Sequence, residues 1–576
     1  MQGITTLLLV TSIFTSAAAS AAAALLLEPC PENAKARCGT LTVYENRESR
    51  QGRTIPIKVM VMPATGAMPA SDPIVFFEGG PGASTVQAAQ RLAEEFHDLS
   101  AKHDLIFIDL RGTGSSNGLS CELFGKAGDL QSALGDLFPL EAVRKCRAEL
   151  TSRADLGLYT TSLSVDDVDD VRAALGYERL NLVGSSYGTR AALVYMRRHP
   201  DHVRTAVLMG VDPPTAPAPR DFPRDAQRAL DGIFSECARE APCAAAFPNL
   251  PQELDAVLAR LRRQPAVVEI VHPETGEPTK VTLKPDLFAE ALRYLSYNSG
   301  TASLIPALVH QSALGDLAAV AEFALFARQQ VGALTAGLYL SITCAEDLPQ
   351  IRPEEAERLA KNTFLGDYRY QQQSAACGAW VRGAVPPDFA TPIHSDTPAL
   401  LVTGEHDPVT PPRLAAEGLK TLPGGVSVVV PHGGHALDGL EGLDCVKRLI
   451  RDFVEAGMVR GLDRTCLASV RRPPFPLVPP TLKAVSLGED ALAKFAGRYA
   501  AEGLPGPVDI ARQGTKLKIS LPGPESFILV PVSPTRFRVT GTLNIFVLFE
   551  FKEGRVSRAT FEENGETTTV LTPAGT

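Results

Sequence analysis

A chain of 576 residues, 45% apolar and 21% charged, is too long for one ordinary domain and reads as globular, with roughly two to four domains. Its formal charge of −9 comes with acids and bases interspersed and no basic stripe, which argues against a nucleic-acid partner.

The N-terminus, "MQGITTLLLVTSIFTSAAASAAAALLLEPC", runs from an apolar stretch into small residues with an A-x-A site at Ala19-Ser20-Ala21. It reads as a secretory signal peptide over residues 1–21, although no Lys or Arg precedes the apolar stretch. The alternative is an uncleaved anchor, because Ile4 to Leu27 is long enough to span a bilayer. Only in that case would a stable membrane association be expected. Export to a periplasmic or extracellular compartment fits the ten cysteines, an even number. Connectivity is open from sequence. Pairing neighbours gives Cys30–Cys38, Cys121–Cys146, Cys237–Cys243, Cys344–Cys377 and Cys445–Cys466. No C-x-x-C occurs, so neither a thioredoxin-type site nor a zinc knuckle is indicated.

After two strand-like runs, "LTVYEN" and "TIPIKVMVMPA", come short apolar runs that each end at glycine or a polar turn: "PIVFFEGGPGAS", "DLIFIDLRGTGSSNG", "LNLVGSSYG" and "TAVLMGVDPP". Helical text separates them, including "SVDDVDDVRAALG", where Ser164 is a candidate cap. Such runs predict a mostly parallel sheet covered on both faces. Residues 22–215 form its first part. Over 216–391 helical patterns dominate, which predicts an α-helical cap. Residues 392–470 return to the sheet with "PALLVTGEHDPVTPP" and "VSVVVPHGGH". Residues 471–482 are a proline-rich linker, and 483–576 alternate apolar and polar residues between turns, as in a small antiparallel barrel or sandwich. That last region shows no catalytic constellation.

Two stretches fit G-x-S-x-G: "GSSNG" at 114–118 and "GSSYG" at 184–188. A serine lifted for nucleophilic attack needs a buried strand before it and a helix after it. Ser186 has both, in "LNLV" and "TRAALVYMRRH". Ser116 has neither, since its strand ends at Asp109 and "NGLSCELFG" reads as a loop. A serine hydroxyl needs a base, and the base an orienting acid. Asp407 follows one late strand and His435 the next, in the order Ser, Asp, His. Competing positions are Asp212, Glu405, His406 and His432; an H-x-x-H metal pair of His432 and His435 is a remote reading, so no metal or cofactor is expected. Gly80 in the glycine-rich "EGGPGAS" and the backbone of Tyr187 are the candidate oxyanion donors, whereas Pro81 has no N–H to give.

Together "GGPGAS", "DLRGTGSS", "GSSYGT", "GEHDPVTPP" and "GGH" make residues 40–470 resemble the proline iminopeptidase and tripeptidyl aminopeptidase branch of the α/β-hydrolases. "ITCAED" at 342–347 resembles its exported tripeptidyl members. One departure is Glu78, where iminopeptidases usually carry the His of HGGPG. The resemblance implies an α/β-hydrolase core with an inserted cap, and a secreted serine aminopeptidase acting on peptides with a free N-terminus. It also makes "GSSNG" part of a structural turn. Such an enzyme needs an anion to hold the substrate ammonium, for which Glu346, Asp347 and Glu78 are the candidates. The C-terminal region resembles β-barrel modules appended to some secreted serine hydrolases, with a packing or binding role. Two other functions remain open: a carboxylesterase or lipase using the same triad, and a non-enzymatic binding protein on a hydrolase scaffold.

Overall fold

The structure is a computed structural model that describes residues 25–31, 33–124, 128–478, 484–501, 506–522, 526–563 and 566–574. The signal peptide expected over 1–21, and residues 479–482 of the expected linker, lie outside the described residues. No helix among the described residues is long and apolar enough to cross a membrane.

Nine strands build the main sheet: β1 (Glu28–Pro29), β2 (Arg37–Tyr44), β3 (Thr54–Met62), β4 (Ile74–Phe77), β5 (Leu105–Ile108), β6 (Leu180–Ser185), β7 (Val203–Met209) and, after the short hairpin β8 (Ala266–Val271) and β9 (Pro278–Leu283), β10 (Ala399–Gly404) and β11 (Gly425–Val430). Their order is β1-β2-β3-β5-β4-β6-β7-β10-β11. Pairs from β5 onward are parallel, and β1, β2 and β3 extend the sheet antiparallel.

The continuous apolar runs follow from burial on both faces, because successive side chains point to opposite sides of a strand. In β4, Val75 and Phe77 enter one core and Ile74 and Phe76 the other. The helices Thr161–Leu175 and Tyr187–Arg198 cover the first face, and Ala89–Glu95 and Asp444–Ala456 the second. Ser164 is not the cap of its helix. The helix starts at Thr161, and the Ser164 hydroxyl donates back to the Thr160 carbonyl at 2.9 Å, as serines inside helices do.

The inserted segment is not helical throughout, since β8 and β9 form an antiparallel hairpin within it. "AVVEIV" and "PTKVTL" are short, and the helices around them mask their alternation. The insertion also divides by packing. Leu287, Leu308 and Phe323 belong to a second core, to which Leu130, Leu134, Phe475 and the barrel's Leu543 also contribute, whereas Leu338, Leu340 and Ile342 on the helix Ala336–Glu346 join the sheet's core.

The C-terminal region is a closed antiparallel barrel, β12 (Gly497–Ala501), β13 (Val508–Gln513), β14 (Lys516–Ser520), β15 (Ser526–Pro531), β16 (Arg536–Val539), β17 (Ile545–Lys552), β18 (Arg555–Glu563) and β19 (Glu566–Pro573), with β19 returning to β12. It docks on the inserted helices. Arg538, wholly buried, pairs with Glu322 at 2.6 Å, and the Thr540 hydroxyl donates to the Pro273 carbonyl at 2.9 Å. All five neighbour pairs of cysteines are joined as disulfides.

Candidate active site

The turn between β6 and the helix Tyr187–Arg198 holds Ser186 at φ 55°, ψ −125°, a conformation that non-glycine residues seldom adopt. The flanking glycines allow it. A Cβ on Gly188 would stand 1.9 Å from the Phe77 carbonyl oxygen, and one on Gly184 would stand 2.6 Å from that of Gly188. The backbone therefore turns sharply at the C-terminal end of β6 and leaves the Ser186 side chain half-buried at the start of the helix. The N–H of Tyr187, first residue of that helix, has no intrahelical acceptor.

Ser186, Tyr187, Gly80 and His435 line one cavity of about 790 Å³ between the parallel sheet, the inserted helices and the barrel. His435 follows β11, and its Nδ1 lies 2.9 Å from Oδ2 of Asp407, which follows β10. Asp407 is fully buried behind the ring and also accepts hydrogen bonds from the backbone N–H groups of Val409 and Thr410 and from the Thr410 hydroxyl. Burial opposes ionisation of Asp407, yet His435 and the Thr410 hydrogen bonds outweigh it and hold the carboxyl below its ordinary value. Burial likewise opposes the charged form of His435, and the Asp407 charge overcomes it, so the imidazole is pushed up from its ordinary value. The Tyr297 ring packs edge-on against His435 with centroids 5.0 Å apart.

The competing positions go elsewhere. Asp212 lines the cavity but pairs with Arg190 at 3.0 Å. His432 and His406 both bind Glu236, through Nδ1 at 2.8 Å and Nε2 at 2.7 Å, and Arg472 closes the same carboxylate at 2.8 Å. Glu405 accepts from the His432 backbone. His432 and His435 thus serve different partners.

Ser116 is wholly buried, and its hydroxyl oxygen accepts from the Lys58 backbone N–H at 2.8 Å. Its neighbour Asp109 accepts from the Ser84 hydroxyl and from the N–H groups of Val86 and Ser115. This turn ties the loop after β4 to the loop after β5.

Of the three acids expected to meet a substrate amine, Asp347 and Glu78 line the cavity and Glu346 does not. Glu346 accepts from the backbone and hydroxyl of Thr161 behind the wall. Asp347 accepts from Arg190 at 2.8 Å and from the Ala218 N–H. Glu78 pairs with Arg91. One guanidinium, Arg190, thus faces three carboxylates, Asp212, Asp347 and, at 4.0 Å, Glu346. Burial raises Glu346 to about 7 and Asp347 to about 6, against the pull of Arg190.

Sequence reasoning missed Arg190, Thr410 and Tyr297. The first two stand inside "GSSYGT-R" and "DPVTPP", so spacing from Ser186 and Asp407 could have flagged them. Tyr297, 138 positions from His435 (435 − 297), carries no such signal. The barrel was expected to pack or bind. It also closes the cavity, with residues from Gly541 to Ile545, and Glu563, in the wall.

A family model for the alpha/beta hydrolase fold matches residues 72–437. The chain belongs to the α/β-hydrolase family. Among the relatives of this α/β-hydrolase, serine protease Hip1 of Mycobacterium tuberculosis (strain ATCC 25618 / H37Rv) is 23% identical over 463 residues, covering 73% of this chain and 85% of that protein. Tripeptidyl aminopeptidase of Streptomyces lividans is 31% identical over 192 residues, 31% of this chain and 36% of that protein. The solved proline iminopeptidase of Mycobacterium smegmatis aligns at 17% identity over 73% of this chain and 98% of that one with a TM-score of 0.35.

Proposed function

We propose that this α/β-hydrolase is an exported serine hydrolase that removes residues from the free N-termini of peptides. The observation that carries the hydrolase reading is that the strained Ser186 shares one cavity with His435, which is paired to the buried Asp407. In the proposed reaction the Ser186 oxygen attacks the scissile carbonyl and its proton passes to Nε2 of His435, while Asp407 holds Nδ1 and stabilises the imidazolium. The N–H groups of Gly80 and Tyr187 receive the developing oxyanion. His435 then gives its proton to the leaving amine, and water hydrolyses the acyl-enzyme by the same path.

The acid excess around Arg190 supports the aminopeptidase reading. With Asp212 and Asp347 in the wall and one guanidinium between three carboxylates, a bound ammonium improves the local charge balance. The peptidase names of the two relatives point the same way. The five disulfides fit an exported protein.

The test is turnover of aminoacyl and tripeptidyl amides with free N-termini beside their N-acetylated copies and a short acyl ester, with Ser186→Ala as control. Cleavage lost on acetylation and in the variant is the expected outcome. Turnover of the ester alone would move the protein to the esterases.

A further inference from the structure

The cavity has a second charged pole, of opposite sign. Arg369, on the helix Tyr368–Ala379, lines the cavity at 8% exposure. It has no carboxylate within ion-pair distance among the described residues, whereas the other two arginines of that wall are paired, Arg190 with Asp212 and Asp347 and Arg293 with Glu290. Its Nη2 donates to the Tyr339 hydroxyl at 2.8 Å, and its Nε and Nη1 have no acceptor among the described residues. The guanidinium stands 5.8 Å from the Phe138 ring and 5.9 Å from the Tyr339 ring, in an apolar setting that strengthens a charge-assisted bond.

Charge counting makes this pole basic. Glu290 lies in the field of Arg293, Arg369 and Arg328: burial opposes its ionisation, and the charges of those three arginines hold it below its ordinary value all the same. Arg369 thus has only a shared and more distant counter-charge, and a bound anion would offset the cost of burying its guanidinium. Across Tyr339, whose hydroxyl Arg369 binds, lies the field of Asp347 and with it the acidic pole.

We propose that Arg369, with Arg293 beside it, binds a carboxylate of the substrate, so that the cavity selects short peptides carrying a negative group as well as a free amine. The carboxylate has two chemical sources, the C-terminus of a short peptide or an Asp or Glu side chain. The proposal rests on the aminopeptidase reading for its choice of substrate, but the two fail separately.

The experiment is calorimetric binding to the full-length Ser186→Ala protein, which is read without turnover. The peptides are a tetra-alanine in four forms, with free or acetylated N-terminus and free or amidated C-terminus, plus an amidated pair ending in Asp or Asn. Weakening of at least tenfold on amidation, or on Asp to Asn, is expected and says which source is used. Adding Arg369→Met should collapse that ratio towards one, and Arg369→Lys should retain part of it. Ratios near one in both pairs in the Arg369 protein overturn the proposal whatever the variants do, as does a ratio that survives Arg369→Met. Loss of affinity on acetylation reads the amine site alone. Its absence would sink the aminopeptidase reading and leave the carboxylate ratio standing or falling by itself.

Discussion

Ser186 and Ser116 occupy the same five-residue pattern, and the molecule uses them in opposite ways. Ser116 sits in a loop with its oxygen spent on the Lys58 N–H, sealed from solvent. Ser186 sits between a buried strand and a helix, strained at φ 55° and open to the cavity that holds His435. The difference is one of backbone context. A loop lets the serine side chain fold back on the protein's own donors, whereas the strand-to-helix turn holds it away from them. A motif of small residues specifies a tight turn, and the flanking elements decide whether the turn presents a nucleophile or ties its loop to a neighbouring strand.

The largest test of this contrast is loss of the proposed nucleophile. Ser186→Ala should lower kcat by about 10⁴- to 10⁶-fold, with melting temperature essentially unchanged, as for other triads. Ser116→Ala should leave acylation by a fluorophosphonate probe at Ser186 intact. If Ser116→Ala abolishes labelling in folded protein, the assignment of roles is wrong.

The next effect concerns the base. Asp407→Asn should lower kcat by about 10³- to 10⁴-fold, because the imidazole loses its orienting acceptor. The base works only when neutral. Because the Asp407 charge raises His435 above its ordinary 6.5, kcat/KM should fall as pH drops through a value above 6.5, and the acid limb should move to lower pH in the Asn variant. A limb that stays in place would detach Asp407 from His435.

The smallest effect is structural. Ser116→Ala leaves the Lys58 N–H without its partner in a buried turn, which should cost about 1–3 kcal/mol of stability. Denaturant unfolding would show it as a lowered midpoint with unchanged slope. No change in midpoint would mean that water replaces the hydroxyl and that the turn is not a staple.

Much of the proposed machinery was legible because its signals are local. Ser186, Asp407 and His435 each follow a strand, and the glycines at 184 and 188 meet a backbone requirement within a few residues; the cysteines pair with their neighbours in sequence, 6 to 33 residues apart. The parallel sheet was legible for the same reason: strands buried on both faces leave unbroken apolar runs. The helical text of the insertion concealed β8 and β9, whose alternation spans only six residues each.

What the tertiary structure alone decided is which charges meet. Glu346 and Asp347 are adjacent in the chain, yet one faces Thr161 behind the wall and the other faces the cavity. Arg190 collects carboxylates from positions 212, 346 and 347, and Arg369 has none within ion-pair distance among the described residues. The barrel, unremarkable as a sequence, closes the cavity because Arg538 finds Glu322 on an inserted helix. Backbone conformation is set by neighbours along the chain, and a sequence displays it. Charge pairing and cavity walls are set by side chains that meet only when the layers pack, across separations that reach 216 residues for Arg538 and Glu322 and that no local pattern encodes.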